Sequence, residues 1–264
     1  MDRTPESMRS IRTVEDVLRL MDGLFAPGAD RWTDGGGADW WDRFYADRSR
    51  GVPFFVARPD ESLASWLDDG AVTLGARGRA LDLGCGAGRN TLLLARHGFT
   101  VDAVDLSPKA LAWARERAED AGAGSVAFHR ADAFALTERD LDGPYDLIYD
   151  SGCFHHLPPH RRVSYLAFLD RFLAPGGAFG LSCFAVGSEN SGSELSDLDL
   201  YREARLHGGV AYGADDLRWI FSDLTEAELR RMRKPDPASG TFGEPFLWAA
   251  LFRKAGPLPE TPSA

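Results

Sequence analysis

A chain of 264 residues with 44% hydrophobic and 11% aromatic content is long enough to bury one large core. Its formal net charge of −10 repels a phosphate backbone, which excludes bulk nucleic acid as a partner unless a local basic patch gathers it. Only His160-Arg161-Arg162 and Arg230-Arg231-Met232-Arg233-Lys234 offer such a patch, and both are short enough to read as solvated faces. No apolar run reaches membrane-span length, the start MDRTPESMRS lacks the apolar segment of a secretory signal, and the scattered cysteines Cys85, Cys153 and Cys183 do not make a disulfide framework. A soluble protein of the reducing cytoplasm is expected, without a membrane partner.

In chain order, Ile11, Val14, Val17, Leu18, Met21 and Leu24 recur at helical spacing and predict an amphipathic helix over 11–25. A Gly/Asp-rich break over 27–38 follows. The aromatic-rich stretch Trp40-Trp41-Asp42-Arg43-Phe44-Tyr45 leads to Gly51-Val52-Pro53-Phe54-Phe55 and to a short helix over 61–67 behind Pro59-Asp60. Residues 1–75 read as an N-terminal helical cap or extension.

From Arg79 strands alternate with helices, the signature of an α/β, doubly wound, Rossmann-like fold with a parallel sheet. Strands are expected at 80–83, 100–105, 126–129, 145–150 and 178–184, with helices at 90–97, 108–121 and 161–173 between them. Pro108 at a helix start and Pro175-Gly176-Gly177 after a helix end obey the terminal preferences. The tail adds a helix at 214–221 and a strand at 246–252. Between these, Thr225 and Glu228 stand at capping-box spacing and predict a helix over 226–232. The polar segment 187–213 is long for a connection, and reads equally as a disordered insertion or a substrate lid at the carboxyl edge of the sheet. The main domain is expected to span 76–254, with a flexible tail at 255–264.

Four stations carry the chemistry. The first, Ala80-Leu81-Asp82-Leu83-Gly84-Cys85-Gly86-Ala87-Gly88-Arg89-Asn90, is a strand running through a glycine turn into a helix. A dinucleotide fingerprint needs a third glycine where Arg89 stands, and Asp82 before the turn suits a cationic ligand better than a pyrophosphate. The second is Asp105-Leu106-Ser107 at the tip of the next strand, where a carboxylate can accept from two ribose hydroxyls. The third is Asp132-Ala133, an acid followed by a backbone N–H, a pair able to read an adenine edge. The fourth is Asp150-Ser151-Gly152-Cys153-Phe154-His155-His156-Leu157, where Asp150 and Cys153 would line the site. Either His155 or His156 would be a general base, or both would bond backbone and fix the loop.

Order, spacing and strand context of these stations, together with Leu173-Ala174-Pro175-Gly176-Gly177, resemble the class I S-adenosylmethionine (SAM)-dependent methyltransferases over about residues 79–184. The resemblance implies a mostly parallel seven-stranded sheet with an antiparallel last strand, and a strand in place of the helix over 226–232. It implies SAM as cofactor, held by Asp82, Gly84, Cys85, Gly86, Gly88, Asn90, Asp105, Leu106, Ser107, Asp132, Ala133, Asp150 and Cys153, with no metal. Trp41, Phe44, Tyr45, Arg48, Pro53-Phe54 and Pro59-Asp60 are similar to the N-terminal region of the thiopurine and tellurite methyltransferase group. That similarity implies that Trp41 and Tyr45 close over the cofactor, where an aromatic face suits a sulfonium. The N/D-P-P-Y motif of nucleic-acid and protein modifiers is missing, which favours a small-molecule acceptor. The alternatives are a SAM binder that does not methylate and, against Arg89, a nicotinamide-dependent oxidoreductase.

Overall fold

The computed structural model describes residues 11–75, 77–189, 191–236 and 238–256. The expected flexible tail therefore falls, beyond Gly256, outside the described residues.

The N-terminal part holds three helices. In α1 (Val14–Asp22) the Thr13 side chain accepts from the Asp16 N–H while the Asp16 carboxylate accepts from the Thr13 N–H, a reciprocal cap that starts the helix three residues later than the apolar spacing suggested. Helix α2 (Gly36–Tyr45) carries the aromatic stretch, and α3 (Glu61–Asp68) buries Leu63 and Trp66. These helices share the core of the main domain. Phe25 and Trp32 join the cluster on one face of the sheet, and Leu63, Trp66 and Val72 join the cluster on the other.

The chain then alternates: β1 (Arg79–Leu83), α4 (Arg89–Arg96), β2 (Thr100–Asp105), α5 (Pro108–Asp120), β3 (Val126–Arg130), β4 (Tyr145–Ser151), α6 (Arg161–Phe172) and β5 (Leu173–Phe184). After these come α7 (Asp197–Glu203), α8 (Ala214–Ile220), β6 (Thr225–Arg231) and β7 (Leu247–Arg253). The seven strands order as β3-β2-β1-β4-β5-β7-β6, with β1 to β5 parallel and β7 antiparallel to both its neighbours. The doubly wound sheet is thus as expected. Reversal of strand order around β1 and β4 opens a crevice at their carboxyl ends, the place where such sheets bind ligands. Gly180 sits in mid-strand because a Cβ there would stand 2.7 Å from the Tyr149 ring and 3.1 Å from Trp66.

Three expectations are corrected. Residues 225–231 form strand β6, as the resemblance implied, because Glu228 accepts from Trp66 Nε1 and pairs with Arg230 instead of turning back to cap a helix. Segment 187–213 is neither loose nor unstructured in its described residues: Leu200, Leu206, Val210 and Tyr212 enter the core, and Ser193 and Ala185 bridge to Val210 and Tyr212. Finally, the two basic stretches are solvated faces only in part. His160 and Arg161 close on Asp22, Arg162 on Asp197, and Arg230 on Glu61, while Met232 is buried and Arg233 and Lys234 are exposed.

Candidate active site

The glycine turn is left-handed at Gly84, Gly86 and Gly88 (φ 72°, 53° and 77°), a region open to glycine at no steric cost. Each glycine also meets a specific neighbour. A Cβ on Gly84 would strike Cys153, one on Gly86 would lie 2.6 Å from the Tyr45 hydroxyl, and one on Gly88 would press on Ala114 of α5. Across the turn, Asp105 at the end of β2 accepts from Gly86 N–H through Oδ2 (2.9 Å) and from Ser107 N–H through Oδ1 (2.8 Å). Each oxygen keeps a second lone pair for a ligand. Burial pushes this carboxyl up to about 6, against the pull of the Ser107, Gly86 and Leu106 N–H groups.

Helix α2 is docked on this edge by Asp42, whose carboxylate accepts from Ser107 Oγ and from Lys109 N–H at the start of α5. Arg117 ties the same helix α5 to the Phe55 and Ala87 carbonyls. The cap thereby brings Trp40, Trp41, Phe44 and Tyr45 over the crevice. Trp41 donates to the Arg31 carbonyl and stands edge-on to His156 at 5.0 Å.

A buried polar cluster fixes the start of α4. Asp60, fully buried, pairs with Arg89 through one oxygen and accepts from Asn90 Nδ2 (3.1 Å) and Tyr149 Oη (2.7 Å) through the other. Arg89 also donates to Ser151 Oγ at 2.9 Å and lies over the Phe242 ring at 4.4 Å.

Cap and sheet edge enclose a cavity of about 420 Å³, within the range of small-molecule sites. Of the expected residues, Gly84, Asp105, Leu106, Asp132, Ala133, Cys153, Trp41, Tyr45, His155 and His156 line it. Asp132 uses Oδ1 to accept from Phe134 N–H at 2.9 Å, and burial raises its pKa. Seven expected residues lie behind the wall. Asp82 accepts from Thr91 Oγ1 beneath the turn, where burial raises its pKa to about 7. Cys85 is buried, Gly86 is covered by Tyr45, and Gly88 abuts α5. Asn90 serves Asp60, and Ser107 caps α5 by accepting from Ala110 N–H. Asp150 accepts from Cys153 N–H, Phe154 N–H and Tyr165 Oη, so it clamps the β4 exit loop from behind.

The histidines differ in role. His155 accepts from Phe184 N–H at Nδ1 (3.3 Å), stacks on the Phe184 ring at 3.8 Å, and its carbonyl accepts from Val210 N–H at 2.7 Å. Burial holds its pKa well below the usual range. With Nδ1 accepting, the neutral ring of His155 carries its proton on Nε2, an arrangement in which it fixes the loop. His156 faces the cavity with a buried Nδ1 that makes no hydrogen bond, and burial reinforced by Arg31 lowers its pKa to about 3. It is neutral at pH 7 and a weak base.

Several lining residues escaped sequence reasoning. Arg89 was legible in part, as the cation directly after the glycine turn. Arg31, Ser182, Phe184, Phe242 and Phe246 reach the cavity only through tertiary packing.

Fold and site together define a class: the doubly wound sheet with a capped cavity at its strand-order reversal is the architecture of class I methyltransferases, to which this chain is similar. Residues 80–177 match the family described as methyltransferase domain. Over 127 residues the chain is 32% identical to 2-heptyl-1-hydroxyquinolin-4(1H)-one methyltransferase of Mycobacteroides abscessus, covering 48% of this chain and 53% of that one. The chain spans about half the length of the curated relatives it matches. A structure solved for the conversion of a disulfide bond into a thioacetal group during echinomycin biosynthesis superimposes with a TM-score of 0.63 at 24% identity, over 83% of this chain and 91% of that one. The Burkholderia thailandensis 1,6-didemethyltoxoflavin-N1-methyltransferase, bound to 1,6-didemethyltoxoflavin and S-adenosylhomocysteine (SAH), gives a TM-score of 0.51 at 20% identity over 94% and 93%. These two likenesses are of fold. Among the described residues no helix is long and apolar enough to cross a membrane.

Proposed function

We propose that this protein is a SAM-dependent methyltransferase acting on a small molecule. The observation that carries the reading is Asp105, a buried carboxylate anchored by Gly86 and Ser107 yet open to a capped cavity at the strand-order reversal. The residues fit the cofactor. Asp105 would accept from ribose hydroxyls, Asp132 and the Ala133 N–H would meet the adenine edge, and Gly84, Cys153 and Arg89 would hold the methionine end. Bound there, SAM supplies a methyl group activated by its sulfonium.

The chain's own contribution is alignment and exclusion of water by Trp41, Tyr45 and the cap. His156 is a hydrogen-bond acceptor at neutral pH and too weak a base to deprotonate an alcohol, so the acceptor brings a nucleophile that is already acidic or carries a free lone pair. Three free cysteines, Cys85, Cys153 and Cys183, support a reducing cytoplasm as the working compartment.

The test is transfer of a labelled methyl group from SAM into a panel of aromatic, thiol and carboxylic acceptors, with SAH release read in parallel. Label in at least one acceptor supports the reading. SAH binding without transfer to any would favour the non-methylating binder.

A further inference from the structure

A second recess opens beside the cavity, between the cap turn at 26–31 and the turn at 204–209. Arg31 and His156 line both, so the recess adjoins the cavity at the point where His156 stands. In a chain of net charge −10 the sign of this recess is reversed. Its titratable lining residues are Arg31, Arg205, His156 and His207, with no carboxylate among them. Glu203, two residues before Arg205, is taken up by His207 at 2.7 Å.

Among the described residues Arg31 donates only to the Gly28 and Asp30 carbonyls, and it stacks on the Trp40 ring at 3.8 Å. The Asp30 carboxylate beside it is occupied by Trp32 N–H, Thr33 N–H and the Thr33 hydroxyl. Neither Arg31 nor Arg205 forms an ion pair among the described residues.

The walls are pinned. Ala26 N–H donates to the Ala204 carbonyl (3.0 Å), Ser193 N–H to Gly209, and Val210 N–H to His155. Ala204 and His207 hold left-handed backbone (φ 53° and 51°), which residues with a Cβ rarely adopt and which tends to cluster where a loop serves a ligand. A guanidinium held on an aromatic face without an ion-pair partner, its neighbouring Asp30 carboxylate turned to other donors, is in a preformed concavity a site for an oxyanion.

We propose that the recess takes the anionic group of the methyl acceptor. The acceptor is thus a planar aromatic molecule bearing a carboxylate or phosphate. Its ring lies in the aromatic-walled cavity, and its anion lies against Arg31 and Arg205. This assignment of substrate class rests on the methyl-transfer reading, although the anion site itself does not need it.

The test is calorimetric binding of matched probes to the full chain, with and without saturating SAH: 1-naphthoate, 1-naphthyl phosphate and the neutral 1-naphthamide, with the corresponding quinoline acid and amide. An anionic probe is expected to bind about tenfold or more tightly than its amide, and the naphthoate and phosphate arms identify the group preferred. Arg31→Gln should remove that preference and Arg205→Gln reduce it, the latter with unchanged SAH affinity, and added salt should weaken it. Arg205→Gln alters an exposed side chain, so it keeps the test open should Arg31→Gln fail to fold. Equal binding of acid and amide, a preference that survives in the folded variants, or no binding of any probe overturns the proposal. Failure of SAH itself to bind overturns the methyltransferase reading instead, and the probe series without SAH still decides the anion site.

Discussion

Replacing Asp60 by Asn tests whether the buried cluster that joins the cap to the glycine turn is held by charge. The substitution keeps volume and removes one negative charge from a side chain that is 0% exposed. Arg89, 9% exposed in its side chain, would lose its carboxylate partner. The new amide would also set an N–H where the carboxylate now accepts from Arg89, Asn90 or Tyr149. Breaking a buried pair by neutralising one partner costs about 3–5 kcal/mol, because the remaining charge is left desolvated and unpaired. At roughly 2–4 °C per kcal/mol for a domain of this size, Tm should fall by on the order of 10 °C. Tyr149→Phe removes a single neutral donor to the same carboxylate and should cost about 1 kcal/mol. Urea unfolding of wild type and both variants measures the two costs. A loss below about 1 kcal/mol for Asp60→Asn, or equal losses for the two variants, would refute the argument that Arg89 depends on Asp60.

Three further outcomes follow from the same reasoning. Because burial raises Asp105 to about 6, its acceptor capacity is complete above that pH and is lost as protonation sets in below it. SAH affinity should therefore hold from pH 8 to 7 and fall as the pH drops through about 6, in a titration series that would show a flat profile if Asp105 had no part. Asp22→Ala should destabilise by about 2–4 kcal/mol and expose α1 to limited proteolysis, since Asp22 accepts from Trp32, His160 and Arg161. Burial would raise the Asp22 carboxyl, but those bonds outweigh it and hold the folded pKa well below the ordinary value; the stabilisation is present above about pH 4 and should vanish as pH falls further. Gly180→Ala should cost about 1–3 kcal/mol through overpacking on Tyr149 and Trp66, read as a shift in urea midpoint; an unchanged midpoint would mean that β5 yields freely.

The parallel half of the sheet was legible because its signals are local and agree with one another. Apolar strands end at Gly84, Asp105 and Asp132, and Ser107-Pro108 starts α5 as a cap and first-turn proline should. Strand β6 was ambiguous because Thr225 and Glu228 form a sound local capping pattern, whereas β7 pairing and the Trp66 indole determine the fold there. Helix α7 was missed although Ser196 and Asp199 cap it, because the segment's polarity masked Leu200 and Leu206. The site was legible at the strand tips and illegible in depth. The motif residues Asp82, Asn90 and Asp150 support the wall from behind, and no spacing rule separates a residue on the wall from one beneath it. The two adjacent histidines show the same limit: Phe184, from a strand 29 positions away, commits Nδ1 of His155, while Nδ1 of His156 has no partner.

The central claim is that the capped cavity binds the methyl donor through Asp105. Isothermal titration of SAH against wild type and Asp105→Ala, with NAD as comparator, tests it most directly. The account predicts saturable one-to-one binding of SAH by wild type and no comparable binding of NAD. In the variant, loss of two charge-assisted hydrogen bonds should weaken SAH binding by about 3 kcal/mol, or roughly 150-fold. Absence of SAH binding to the wild-type protein, or an unchanged affinity in a folded Asp105→Ala variant, would contradict it.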